Sequence, residues 1–133
     1  MRTNLFTPQS GYKKQARLAA VLWTLLIFIL CLWPGDELPK SNIRLIDKWV
    51  HFLLFAPFCF LWLCAYPSLK PRNLALALVA GGGTGYLVEI LQRSFPSLGR
   101  SYDIMDIAAD AVGSLLGVIL FAALASFSIK KQR

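Results

Sequence analysis

Asp47-Lys48-Trp49-Val50-His51 gathers a carboxylate, an ammonium and the chain's single imidazole into one short segment. At helical spacing Asp47 and His51 share a face, and His51 lies roughly 5 Å deeper along the axis than Lys48. These types suit three tasks: the imidazole can serve as a general base, a carboxylate as its partner or a metal ligand, and Lys48 as a phosphate holder. Further on, Glu89 and Gln92 stand three apart, and Arg100 precedes Asp103, Asp106 and Asp110 at 3-4 spacing. If Glu89 closes one helix while Asp106 and Asp110 open the next, all of them meet His51 at one level. No HExxH or GxSxG accompanies them, so the spacing names no particular reaction, catalytic residue, metal or cofactor.

The elements that must hold these groups are apolar. Hydrophobic residues make up 56% of the 133 and charged residues 16%, against about 25% charged in soluble domains. A chain this short cannot hide that much apolar surface in its own core, and a bilayer removes the difficulty. Apolar runs cover about 18–33, 49–66, 74–91 and 107–129. About 17–25 residues cross the hydrocarbon as a helix. The first run is slightly short, but Arg17 can snorkel and Trp33 suits the interface. The expected fold is therefore an all-α integral membrane protein, four transmembrane helices in an antiparallel bundle. Residues 1–17 form an N-terminal cytoplasmic segment, 18–129 a single domain, and 130–133 a basic tail. A cleaved signal peptide is the competing reading of the first run, yet Pro34-Gly35-Asp36-Glu37 follows it with no small-residue cleavage site.

Basic residues give the orientation. Arg2, Lys13, Lys14, Arg17, Lys70, Arg72, Lys130, Lys131 and Arg133 make nine on one side, and Lys40, Arg44, Lys48, Arg93 and Arg100 make five on the other. The positive-inside rule then sets both termini in the cytoplasm and explains the +7 net charge without nucleic acid. All seven carboxylates, Asp36, Glu37, Asp47, Glu89, Asp103, Asp106 and Asp110, fall at or beside the outer connections. The topology rule alone does not produce that clustering.

Glycines mark the packing faces. Leu78, Gly82, Gly85, Glu89 and Gln92 follow 4-3-4-3 spacing, and Asp103, Asp106, Asp110, Gly113 and Gly117 follow 3-4-3-4. Small residues let helices approach closely in lipid, so Gly82, Gly85, Gly113 and Gly117 are expected against neighbouring helices. Gly81-Gly82-Gly83 lacks the strand and the Lys-Ser/Thr of a phosphate loop. Cys31, Cys59 and Cys64 read as small buried apolar residues. Pro57 should bend its helix. The connection Arg93 to Tyr102 reads equally as a lid over the cluster and as a tight turn. For Asp47, Asp103 and Asp106 a salt-bridge or capping role competes evenly with ligand binding, whereas the deeper His51, Glu89 and Asp110 favour function.

Asp47-Lys48-x-x-His51-Phe52, Glu89-x-x-Gln92, Gly99-Arg100, Asp106, position 110 and Gly113-x-x-x-Gly117, in that order, resemble the VanZ-like family of small bacterial membrane proteins. The resemblance covers roughly residues 45–121 and a preceding helix. It implies that Asp47, Lys48, His51, Glu89, Gln92, Arg100 and Asp106 are motif positions; Asp110 departs from the Asn common there. The namesake is associated with low-level teicoplanin resistance, which implies an inner-membrane protein whose outer-face cluster binds a cell-envelope component. The alternative is an integral membrane enzyme acting on a phospholipid or lipid-linked headgroup. Proton or small-solute transport ranks last, because the first and third helices carry no ionisable group deep in their cytoplasmic halves. Expected partners are the bilayer and a phospholipid or lipid-linked precursor, with homo-oligomerisation left open.

Overall fold

The apolar runs fold as four α-helices: α1 (Lys13–Cys31), α2 (Ile46–Ala65), α3 (Pro71–Ser94) and α4 (Ile104–Lys130), each long and apolar enough to cross a membrane. The computed structural model describes residues 5–37 and 45–131. Arg2, Lys40, Arg44 and Arg133 of the charge argument lie outside the described residues.

Every helix starts before its apolar run, because polar flanks continue the backbone hydrogen bonding once the chain leaves the hydrocarbon. Pro71 opens α3, where its missing N–H would have been an orphan donor anyway. Asp103 caps α4, its Oδ1 accepting the Met105 N–H at 2.8 Å. Leu45, ahead of α2, sits in the left-handed region at φ 62°, a strained position for a residue with a side chain. The first run needs correction at both ends. Its helix takes in Lys13–Arg17 and stops at Cys31, leaving Trp33 exposed beyond it. Residues ahead of α1 are also tied to the bundle: the Phe6 ring meets Phe60 and Phe121 edge-on at 6.4 and 5.9 Å, and Lys13 Nζ donates to the Pro8 carbonyl at 2.7 Å.

Chain direction alternates from helix to helix, yet the most extensive contact joins α2 and α4, which run the same way. Glycine makes this pairing possible. A Cβ on Gly113 would collide with the Phe52 carbonyl and one on Gly117 with the Ala56 carbonyl, so the two backbones touch one turn apart. Phe60 and Phe121 continue the seam deeper, at 6.4 Å. Against α1, α2 presents Leu54, whose carbonyl accepts the Trp23 indole N–H at 2.7 Å, and Trp62, whose indole donates to Thr24 at 3.1 Å. Pro57 lies inside α2 and cannot donate to the Leu53 carbonyl one turn back.

On α3 the expected stripe is displaced by one residue in its lower half. Nothing lies within 4 Å of a Cβ built on Gly82, whereas one on Gly81 would strike Ser114 and Cys59. The buried face runs Gly81, Gly85, Val88, Glu89, Gln92. Gly82 is therefore not a packing glycine. A 3.6-residue period advances eleven positions in about three turns, so Gly81 lines up with Gln92 better than the alternating count to Gly82 allowed.

Candidate functional site

The heads of α2 and α4, the end of α3 and the connection 95–103 converge at one end of the bundle. His51 is 1% exposed, Asp110 is fully buried, and His51 Nδ1 lies 2.9 Å from Asp110 Oδ1. Asp110 has room because its neighbour on α3 is Gly85, where a Cβ would meet the carboxylate. A carboxylate oxygen can only accept, so in neutral His51 the proton sits on Nδ1 and Nε2 keeps its lone pair. Nε2 is buried without a hydrogen-bond partner, 3.8 Å from Asp106 Oδ2.

Lys48 organises the next level. Its ammonium pairs with Asp103, with Asp106 Oδ1 at 2.6 Å and with Asp47 at 3.6 Å. The Lys48 ammonium and the Met105 N–H hold the Asp103 carboxyl below the usual carboxylate range. Glu89, fully buried, accepts the Asp103 backbone N–H on Oε2 at 2.8 Å and thereby ties the end of α3 to the head of α4. Gln92 does the same for α1, donating to the Cys31 carbonyl at 2.7 Å, one of the acceptors a helix end leaves open. Asp47, Glu89, Asp103, Asp106 and Asp110 set five carboxylates against the basic Lys48 and Arg100.

Above this layer lies a polar cavity of about 180 Å³ lined by Asp47, Gln92, Gly99, Arg100, Ser101, Asp103 and Asp106. The connection that contributes to its lining turns through Pro96–Leu98 and the left-handed Gly99 at φ 61°, which delivers Arg100 and Ser101 to the cavity. Gly35 of the first connection abuts the Gly99 carbonyl at 2.9 Å and the Arg100 side chain at 3.3 Å, measured from an ideal Cβ position. Arg100 makes a long 4.0 Å contact with Asp47, which leaves guanidinium donors for a ligand. Beside the cavity, between α2 and α4, Leu45, Lys48, Trp49, Phe52, Met105 and Ala108 line an apolar groove of about 460 Å³. For a metal ion, Asp47, His51 and Asp106 each offer one ligand atom, and these atoms lie within 4.8 Å of one another.

A family model described as VanZ/LLP1 matches residues 5–125. The chain belongs to the VanZ-like family. Searches of curated proteins and of solved structures gave no significant match.

In this VanZ-like protein the motif residues Asp47, Lys48, His51, Glu89, Gln92, Arg100 and Asp106, together with Asp110, all stand at the same end of the bundle, but in two roles. Asp47, Arg100 and Asp106 line the cavity and His51 and Asp110 lie beneath it, whereas Glu89 makes a brace between helices. Gln92 does both. Arg93 is exposed at the end of α3. Sequence reasoning missed Ser101 and the carbonyl of Cys31, since neither residue type carries a signal of its own. Gly99-Arg100 was the available clue to the turn that places Ser101.

Proposed function

We propose that this VanZ-like protein holds the polar head of a lipid-linked cell-envelope component in the cavity lined in part by the connection 95–103 and thereby influences susceptibility to glycopeptides such as teicoplanin. The observation that carries this reading is the adjacency of two unlike surfaces joined by one residue. Lys48 lines the apolar groove while its ammonium pairs with Asp103 and Asp106, which line the polar cavity. An amphiphile needs such a pair: an apolar trough for a chain and a charged recess for the head. Arg100 supplies donors that suit phosphate oxygens. In this reading the protein lies in the bacterial inner membrane with its termini in the cytoplasm, as the nine-to-five asymmetry of basic residues favours.

Native mass spectrometry of protein released from mild detergent tests the reading. Wild type is expected to carry an envelope lipid that Arg100→Ala loses, with affinity down by roughly 10- to 100-fold, the scale of charge-assisted hydrogen bonds. Cells complemented with Arg100→Ala should match the deletion strain in teicoplanin sensitivity. An adduct-free wild type, or equal adducts in both proteins, defeats the proposal.

A second reading, an integral membrane enzyme acting on a phospholipid or lipid-linked headgroup, draws support from Asp110 and His51. A carboxylate on Nδ1 with Nε2 left free is the arrangement that orients an imidazole as a general base. Identical lipid compositions in wild-type and His51→Ala cells would remove it.

A further inference from the structure

We infer that His51 Nε2, Asp106 and Asp47 form a binding site for one divalent transition-metal ion, with Asp110 as the positioning residue behind the imidazole. The inference goes beyond the headgroup reading and holds whatever occupies the cavity.

The first observation is the unpartnered nitrogen. His51 is 1% exposed, its Nδ1 is fixed by Asp110 at 2.9 Å, and its Nε2 is buried with no hydrogen-bond partner. A buried imidazole nitrogen left open at the head of a helix, with a carboxylate on its other nitrogen, has the carboxylate–histidine–metal arrangement in which the outer partner sets tautomer and ring orientation. The second observation is what Nε2 faces. Asp106 Oδ2 stands 3.8 Å away, and ligand atoms of Asp47, His51 and Asp106 fall within 4.8 Å of one another. Ligands bound at ~2.0–2.2 Å to one tetrahedral ion stand roughly 3.3–3.6 Å apart, close to the 3.8 Å between His51 Nε2 and Asp106 Oδ2. The Asp47 side chain is 46% exposed and can rotate to close the remainder.

Lys48 borders the site and also pairs with Asp47 Oδ2, at 3.6 Å. It takes Asp106 through Oδ1, at 2.6 Å, while the oxygen toward His51 is Oδ2. Oδ1 of Asp106 thus serves Lys48, and Oδ2 is left for an ion. The charge balance leaves room, since Asp47, Glu89, Asp103, Asp106 and Asp110 outnumber Lys48 and Arg100. The cavity lined by Asp47 and Asp106 gives an entry path and space for water or a ligand oxygen to complete the coordination. One imidazole with two carboxylates suits ions of the zinc and manganese class, and three protein ligands leave an open position.

The test uses full-length protein in detergent, treated with chelator, dialysed and titrated separately with Zn²⁺ and Mn²⁺, with bound metal counted by elemental analysis. One equivalent of at least one ion should bind saturably. His51→Gln and Asp47→Asn should each weaken it at least 10-fold, and Asp110→Asn by roughly 10- to 100-fold, the usual effect of an outer-shell partner. Glu37→Gln, which removes an equal charge from the exposed first connection, away from the ligand group and the cavity lining, should change affinity by less than 3-fold. Asp47 is half exposed, so its variant keeps the test decisive should His51→Gln fail to fold. Failure of both ions to bind saturably to wild type overturns the proposal. An equal loss in Glu37→Gln and Asp47→Asn also overturns it, by showing diffuse acidic attraction. Neither outcome depends on lipid binding, so the headgroup reading stands or falls separately.

Discussion

Asp103 performs three tasks with one residue. Its side chain caps α4, its backbone N–H is held by Glu89, and its carboxylate pairs with Lys48. Because folding lowers its pKa, its stabilising contribution is complete above the ordinary aspartate value and lost only as pH falls through the lowered one. The thermal stability gap between wild type and Asp103→Asn in detergent should therefore stay constant from neutral pH down to the ordinary aspartate pKa of ~3.9 and shrink below it. A gap that has vanished well above that pH contradicts the assignment. The types of these residues and their order along the chain were legible in advance. Which oxygen serves which partner was not, because Asp106 divides its two oxygens between Lys48 and the side facing His51 only when α2 and α4 lie side by side.

Helix pairing follows from where glycine sits. Gly113 and Gly117 put α4 directly on the backbone of α2, so a side chain there has no flexible neighbour to push aside. Gly117→Leu should destabilise the bundle by about 1–3 kcal/mol or more, the scale of overpacking, read as a lowered melting temperature in detergent. Gly82→Ala is the matched control. With open space at its Cβ position it should leave the melting temperature unchanged or slightly raised. Equal losses in the two variants would contradict the packing described. The Gly113-x-x-x-Gly117 spacing announced a close helix contact; its partner, the same-direction α2 rather than the adjacent α3, depended on how three connections route the chain. On α3 the neighbouring Gly81, Gly82 and Gly83 offered three candidate faces, and Ser114 and Cys59 meet only Gly81.

Among the described residues, the buried acids and the imidazole stand at one end of the bundle. His51, Asp106 and Asp110 cluster there, while the opposite end carries the basic residues Lys13, Arg17 and Lys70, with Arg17 lying over the Tyr66 ring at 4.7 Å. The positive-inside argument predicts that a fluorescent protein fused after residue 133 is bright and that alkaline phosphatase fused there is inactive. Active phosphatase would invert the topology and move the cavity to the cytoplasmic face.

Composition, run length and the distribution of charge were enough to specify four membrane helices, their alternating direction and the end at which the acids collect. These properties depend on how much apolar surface each segment exposes, which is additive along the chain. The cavity, the Asp110–His51 contact, the brace made by Glu89 and the exclusion of Gly82 from the interface depend on rotation and depth of one helix against another. A change of one residue in helical phase, about 100°, turns a side chain from protein to lipid while leaving hydropathy almost unaltered. That phase is set by contacts between residues distant in sequence, such as Gly85 with Asp110 and Gly117 with Ala56, and local pattern does not encode it.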